Sequence, residues 1–159
     1  MKAVINTTPL ISFAILDRLT LLDELFGEII IPHAVFREAT AARKKYGTQI
    51  RIWGKNKVLN IANMKEKAAL ELILDEGESE VIVLAQETGA ELVIVDENKA
   101  RKIAGLKMLN VTGSIGILLY AKKLGKIDAV KPLLDKLIAE GFYIGQALYR
   151  TTCNVADED

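Results

Sequence analysis

Two polar side chains follow apolar runs that are typical of buried strands. Asn6 follows the residues KAVI at positions 2–5, and Asp96 follows ELVIV at positions 91–95. Ligands of an open parallel sheet bind beyond the carboxyl ends of its strands, so we expect both side chains at the same edge. Carboxylate and amide oxygens suit a hard divalent cation such as Mg²⁺ or Mn²⁺. An ion of this kind can activate a water and hold a phosphate for in-line attack.

Three further carboxylates are candidates for the same site. Glu78 and Glu80 fall in the first turn of a helix predicted over 78–88. Glu38 falls inside a helix predicted over 32–46. Clustered carboxylates repel one another unless a cation lies among them. Each acid also has a structural interpretation, because carboxylates in a first helical turn interact favourably with the helix dipole. A functional site is favoured only because these three carboxylates are expected to lie close to Asn6 and Asp96.

Basic residues near this edge are candidates for holding a phosphate backbone. Lys99, Arg101 and Lys102 follow Asp96 closely and are the best placed of them. The sequence has no phosphate-binding loop of the GxxxxGK[ST] kind, and His33 has no histidine or cysteine partner for a zinc site. The residue types therefore favour chemistry directed at phosphates and assisted by a hard metal ion.

The elements around these residues predict an α/β fold. Apolar runs of strand length alternate with helical segments, and the best strands are apolar on both faces. Such strands are typical of a central parallel sheet covered by helices on both sides, so we expect three α/β/α layers. One domain is expected over residues 1–145. Residues 146–159 are expected to form a C-terminal tail that is partly disordered or a short helix.

Composition limits the class of protein and its setting. Lys plus Arg and Asp plus Glu each total 21, so the net charge is zero and a wholly basic nucleic-acid binder is excluded. Cys153 is the single cysteine, which indicates a reducing compartment. No apolar run is long enough for a membrane span, and polar residues interrupt the first apolar run where a signal peptide would continue. We therefore expect a cytoplasmic protein with no membrane partner.

Six segments of the chain, in order, resemble one family. They are NTTPLI at 6–11, IPHAVFREA at 31–39, EGESEVIVLA at 76–85, LVIVDENKARKIA at 92–104, VTGSIGILLYAKKLGKI at 111–127 and KPLLDKLIAEGFYI at 131–144. Together they are similar to a PIN-like group often described as a domain of unknown function. The resemblance implies a PIN domain with a parallel sheet flanked by helices. It also implies a ribonuclease that cuts single-stranded RNA with Mg²⁺ or Mn²⁺ held by three or four acidic residues.

The resemblance also implies roles for individual residues. The family glutamate of the second segment matches Glu38. The acid of the third segment matches Glu78, with Glu80 a close competitor. The acid after the fourth-segment strand matches Asp96, and the basic residue that follows it matches Arg101. Toxins of toxin–antitoxin pairs are common among such proteins, so an antitoxin protein is an expected partner and a homodimer the expected assembly.

The chain departs from the family at its first acid, because Asn6 stands where the family has an aspartate. An amide oxygen can coordinate a hard cation but carries no charge, so metal binding and water activation should be weaker. Three alternatives stay open: a slow nuclease, a catalytically inactive PIN fold that binds nucleic acid or a protein, and a nuclease completed by Glu80 or Glu97. A response-regulator-like module is disfavoured, because it would need paired acids after the first strand.

Overall fold

The computed structural model describes residues 1–159, the whole sequence, and confirms the predicted α/β class. Five parallel strands form its single sheet. They are β1 (Lys2–Ile5), β2 (Glu28–Pro32), β3 (Val58–Leu59), β4 (Leu92–Ile94) and β5 (Val111–Thr112). Their order across the sheet is β3-β2-β1-β4-β5, so the chain starts at the centre and builds outwards in both directions.

Ten helices flank the sheet, and they account for most of the remaining chain. They are α1 (Thr7–Ile15), α2 (Leu19–Phe26), α3 (His33–Ala39), α4 (Gly47–Gly54), α5 (Met64–Leu70), α6 (Glu76–Thr88), α7 (Asn98–Leu106), α8 (Ser114–Lys123), α9 (Lys131–Ala139) and α10 (Gln146–Val155). Every crossover between neighbouring parallel strands therefore contains helix, as parallel pairing requires.

The central strand shows why the sheet needs helices on both sides. Three successive residues of β1, Ala3, Val4 and Ile5, are fully buried. Successive side chains of a strand point to opposite faces of the sheet, so both faces are covered. Burial on both faces is the property that made the parallel sheet predictable from an unbroken apolar run. The predicted central parallel sheet between helical layers is confirmed.

The helix predicted over 32–46 is wrong in its second half. Helix α3 ends at Ala39, and Thr40 takes the C-cap position, where its N–H donates to the carbonyl of Phe36 at 3.0 Å. A separate helix, α4, follows the exposed basic segment and was not predicted. It packs through Ile50, which is fully buried, and through the partly buried Trp53 one turn later.

The C-terminal segment forms a helix that packs on the rest of the domain. Of the two alternatives expected for residues 146–159, the structure shows the helix, α10, and Cys153 and Ala156 belong to the main hydrophobic core. The carboxylate of Glu158 accepts hydrogen bonds from the backbone N–H groups of Val130 at 2.7 Å and Lys131 at 2.9 Å. These bonds fix the end of the chain to the start of α9.

Candidate active site

The ends of β1 and β4 bring two of the predicted side chains to one edge of the sheet. Ile5 is in register with Ile94, and the N–H of Asn6 donates to the carbonyl of Ile94 at 2.9 Å. Asp96 lies two residues beyond that pairing. Asn6 is only 4% exposed, yet its side chain makes no capping bond to α1, the helix that it precedes. Its amide is therefore free to interact with a ligand at this edge.

Glu38 reaches the same edge from α3. Its Oε2 accepts a hydrogen bond from the hydroxyl of Thr7 at 3.0 Å, directly beside Asn6. Gly77, in the first turn of α6, lies between the two elements. A Cβ at Gly77 would stand 3.5 Å from both Asn6 Oδ1 and Glu38 Oε2. These distances show that the start of α6 packs against both Asn6 and Glu38.

Glu78 follows that glycine and is held by a capping box. Its Oε1 accepts from the N–H of Asp75 at 3.1 Å, while Asp75 Oδ1 accepts from the N–H of Glu78 at 2.8 Å. Burial raises the pKa of Glu78, and the nearby carboxylates of Asp75 and Glu97 raise it further. Glu78 thus lies in a negative, partly desolvated environment, where a bound cation would favour its charged form.

Glu97 belongs to this neighbourhood as well. It precedes α7, and its Oε1 accepts a hydrogen bond from the hydroxyl of Thr8 at 3.0 Å. Thr8 lies on α1, which begins directly after Asn6, so this bond places Glu97 near the end of β1. In the sequence, only its position next to Asp96 indicates that Glu97 belongs to this edge. Its contact with Thr8 joins residues 89 positions apart and could not be predicted from the sequence.

Asp96 is held rigidly by the start of α8. Its Oδ1 accepts from the N–H of Ser114 and its Oδ2 from the hydroxyl of Ser114, both at 2.7 Å. The preceding Gly113 cannot be replaced without displacement, because a Cβ there would stand 2.6 Å from Asp96 Oδ1 and 2.8 Å from Arg101 Nη1. Arg101 in turn donates to the carbonyl of Val95 at 3.0 Å, which holds its guanidinium next to Asp96.

Glu80 is held by contacts with the start of α3 and with α5. Its Oε1 accepts from the N–H of Ala34 at 3.0 Å, and its Oε2 accepts from Lys67 Nζ at 2.7 Å. Both carboxylate oxygens therefore already have protein partners. Of the two glutamates between which the sequence could not choose, the geometry favours Glu78 as the one available to a ligand.

The basic candidates differ in how they are held. Arg101 is partly buried and anchored, as described above, whereas Lys99 and Lys102 lie on the exposed surface of α7. Neither lysine forms an ion pair within 4.0 Å of a carboxylate. Their charges are therefore available to an anionic partner approaching from solvent.

The donors at the edge fit a hard metal ion by type. All are oxygens: the amide of Asn6 and the carboxylates of Glu38, Glu78 and Asp96, with Glu97 nearby. No group of three histidine, cysteine, aspartate or glutamate side chains comes close enough to enclose an ion. Mg²⁺ usually keeps several waters and is held through one or two carboxylates, so this open arrangement fits a hydrated ion rather than a fully enclosed one.

Comparison with known proteins decides the family. A family model described as a PIN domain, DUF3368, matches residues 2–158. The chain belongs to the PIN domain family. The resemblance seen in the six sequence segments is thereby confirmed. A comparison with curated proteins finds no match.

One solved structure shows the same fold as this PIN domain. The crystal structure of PAE2754 from Pyrobaculum aerophilum aligns with a TM-score of 0.54 at 15% sequence identity. The alignment covers 77% of this chain and 99% of that one. PIN domains as a family are nuclease-type proteins that generally use divalent metal ions and bind RNA. None of the ten helices has both the length and the apolar character that a membrane crossing needs.

Proposed function

We propose that this PIN domain is a divalent-metal-dependent ribonuclease that cuts single-stranded RNA. The observation that carries the proposal is the convergence of oxygen donors from separate elements. Gly77, which precedes Glu78 on α6, packs against Asn6 Oδ1 and Glu38 Oε2, each 3.5 Å from its Cβ position. Asp96 follows β4, the strand that pairs with β1. The family membership suggests the class of chemistry, and the placement of these side chains supports their assignment to the site.

The residues divide into metal-binding and phosphate-binding roles. Glu38, Glu78 and Asp96 would hold Mg²⁺ or Mn²⁺ directly or through water, and Asn6 would orient a ligand or a water. The bound ion would supply Lewis acidity, activating water and neutralising charge on the phosphate. Ser114 keeps the Asp96 carboxylate in one orientation through two hydrogen bonds.

Arg101 is the best-placed group for meeting a phosphate. Its anchoring to Val95 holds the guanidinium beside Asp96, where a fixed fork of donors suits a phosphate. Lys99 and Lys102 would then contact the neighbouring backbone of the RNA, because they are exposed and carry no partner carboxylate. Glu80 is left out of the metal-binding set, since both of its oxygens are occupied.

The biological setting that we propose rests on the family resemblance and on composition. It is a cytoplasmic toxin of a toxin–antitoxin pair, acting as a homodimer and inhibited by an antitoxin protein. A single buried cysteine, Cys153, agrees with a reducing compartment. The amide at position 6 in place of an acid predicts weak metal binding and slow turnover.

Cleavage of labelled single-stranded RNA in the presence of Mn²⁺ tests the proposal. Asp96→Asn keeps the shape of the side chain and can still bond to Ser114, so the fold should be retained. We expect a loss of at least about 100-fold, above the 10–100-fold typical of outer-shell residues. Equal cleavage by the wild type and the variant would show that the activity comes from elsewhere.

A second function is favoured by the amide at position 6 and by the open donor arrangement. In this alternative the protein is a catalytically inactive PIN fold that binds nucleic acid or a protein partner. Titration with Mn²⁺ separates the two functions. Saturable binding that Asp96→Asn weakens supports the nuclease, whereas RNA binding without any Mn²⁺ binding supports the inactive fold.

A further inference from the structure

Helix α3, which carries Glu38, has no N-cap side chain of its own. The capping position is Pro32, which offers no side-chain acceptor, and no side-chain capping bond is formed there. The N–H of Ala34 is one of the first-turn donors that a helix leaves unpaired. Glu80, on the neighbouring helix α6, accepts this hydrogen bond at 3.0 Å. A residue distant in sequence therefore caps the helix.

The capping carboxylate is buried and needs a counter-charge. Glu80 is 5% exposed, and Lys67, also buried at 8%, donates to it at 2.7 Å. Hydrogen bonds to Glu76 and Glu80 raise the pKa of Lys67, so the lysine stays charged. Removing one member of a buried ion pair leaves the other charge uncompensated, which is strongly destabilising. Replacing both members removes that penalty.

This contact lies between the two helices that supply acids to the edge. On α6, Glu78 precedes Glu80 by two residues. On α3, Glu38 is one helical turn after Ala34, the residue that Glu80 caps. The backbones are close here, since a Cβ at Gly77 would stand 3.4 Å from Val35 Cγ2. The Glu80–Ala34 bond therefore helps to fix the distance between Glu38 and Glu78.

We propose that Glu80 and Lys67 are positioning residues, which hold α3 against α6 so that Glu38 and Glu78 share one ion. This inference rests on the proposed function for the role of the two acids, but the contact itself does not depend on it. The inference assigns Glu80 a positioning role, whereas its position in the sequence suggested that it binds the metal. The two roles predict opposite results when Lys67 and Glu80 are replaced together.

Mn²⁺ affinity, measured by calorimetry far below the unfolding temperature, separates these roles. Lys67→Met leaves Glu80 buried without its counter-charge, so it should lower Tm and weaken Mn²⁺ binding several-fold. Glu80→Gln retains an oxygen that can accept from Ala34. The double variant Lys67→Met/Glu80→Gln should therefore recover both Tm and Mn²⁺ affinity. If it instead binds Mn²⁺ at least about 10-fold more weakly than the wild type, as loss of a ligand predicts, Glu80 is a ligand and the inference is overturned.

Two controls calibrate this comparison. Glu78→Gln should lose Mn²⁺ affinity, and adding Lys67→Met to it should not restore that affinity. Glu71→Gln is the control for loss of one negative charge, because Glu71 is exposed, forms no ion pair and makes no bond to Ala34. It should leave the Mn²⁺ affinity within about twofold of the wild type, as expected for an exposed charge without a partner.

Amide hydrogen exchange tests the positioning contact without any metal. Glu80→Ala should accelerate exchange of the Ala34 amide relative to the wild type, while Glu80→Gln should largely preserve its protection. Unchanged protection of Ala34 in Glu80→Ala would overturn the inference even if Mn²⁺ binds normally. Conversely, failure of the wild type to bind Mn²⁺ would refute the metal site and leave this exchange test decisive for the contact.

Discussion

Two carboxylates near helix N-termini have pKa values that are shifted in opposite directions. Glu158 accepts from two backbone N–H groups of α9 and from Lys122 at 2.9 Å. Although burial alone would raise its pKa, these donors outweigh burial and lower the pKa of Glu158 to about 2. Glu78 has one backbone donor, faces two carboxylates and has a raised pKa. The Glu158 carboxylate has donors that stabilise its charge, whereas Glu78 forms no ion pair that would compensate its charge.

The difference indicates how the domain separates folding from function. A carboxylate whose oxygens accept hydrogen bonds from several donors stabilises the fold, and its oxygens are not available to a ligand. An acid that is buried among other acids costs stability in the absence of a cation and gains when one binds. The carboxyl edge of the sheet has the second character, and the end of the chain has the first.

Glu78→Gln should produce the largest effect on function. The variant removes the charge but keeps an oxygen for the capping box, so the helix start should remain intact. Metal-dependent cleavage should fall by at least about 100-fold, as expected for loss of a group that contacts the metal. Measurement of single-turnover cleavage in Mn²⁺ checks this, and an effect below threefold would remove Glu78 from the site.

Glu158→Gln should produce the largest effect on stability. The wild-type charge contributes about 2 kcal/mol at neutral pH, once solvent screening is allowed for. Loss of this amount predicts a Tm lower by roughly 4–8 °C for a domain of this size. Thermal unfolding at pH 7 measures it. Cleavage per folded molecule should be unchanged, since Glu158 lies at the start of α9 and not at the sheet edge.

The Tm difference between the wild type and Glu158→Gln should depend on pH, in a direction set by the sign of the pKa shift of Glu158. Because the folded-state pKa of Glu158 lies below its ordinary value of 4.5, its contribution is present above pH 4.5. The contribution is lost as the pH falls from 4.5 through about 2. The gap in Tm between the wild type and Glu158→Gln should therefore narrow over this interval. A gap that stays constant down to pH 2 would contradict the charged contact.

The opposite sign at Glu78 gives a smaller and more specific prediction. A group whose pKa is raised in the folded state stabilises the fold at pH values below its ordinary pKa. This stabilisation is lost as the pH rises through the folded-state pKa. Without metal at pH 7, Glu78→Gln should therefore unfold at a slightly higher temperature than the wild type, by up to about 3 °C. A lower Tm under these conditions would mean that the charge of Glu78 stabilises the metal-free fold.

Asn6→Asp should change binding by the smallest amount. The substitution adds a carboxylate near Glu38 and supplies the charge that the family resemblance implies at this position. Mn²⁺ affinity should rise, by roughly 10-fold if the new charge contributes about 1.4 kcal/mol. Calorimetric titration of both proteins measures this change, and unchanged affinity would place position 6 outside the metal site.

The parts of the fold that could be predicted from sequence are those set by local pattern. The unbroken apolar runs before Asn6 and Asp96 predicted two strands of one parallel sheet, and the ends of these strands then predicted the edge where the site lies. Helix α4 was missed because glycines stand at both of its ends, Gly47 and Gly54, and its apolar face is only two turns long. Helix propensity is a weak signal over so short a segment.

The parts that could not be predicted depend on contacts between distant residues. The role of Glu80 is decided by Ala34, 46 residues away, and the packing of the last helix is fixed by Glu158, 28 residues from its partner Val130. In sequence, Glu78 and Glu80 are equivalent acids in one helical turn. Only the position of α3 distinguishes the acid that is free to bind from the one that is already bonded.

Diffraction from crystals containing Mn²⁺, recorded with anomalous signal, tests the central claim most directly. The account predicts an anomalous peak at the sheet edge, within reach of Asn6, Glu78 and Asp96, with water completing the coordination. No peak at that edge at millimolar Mn²⁺, or a peak only at Glu80 or near the C-terminus, would contradict it.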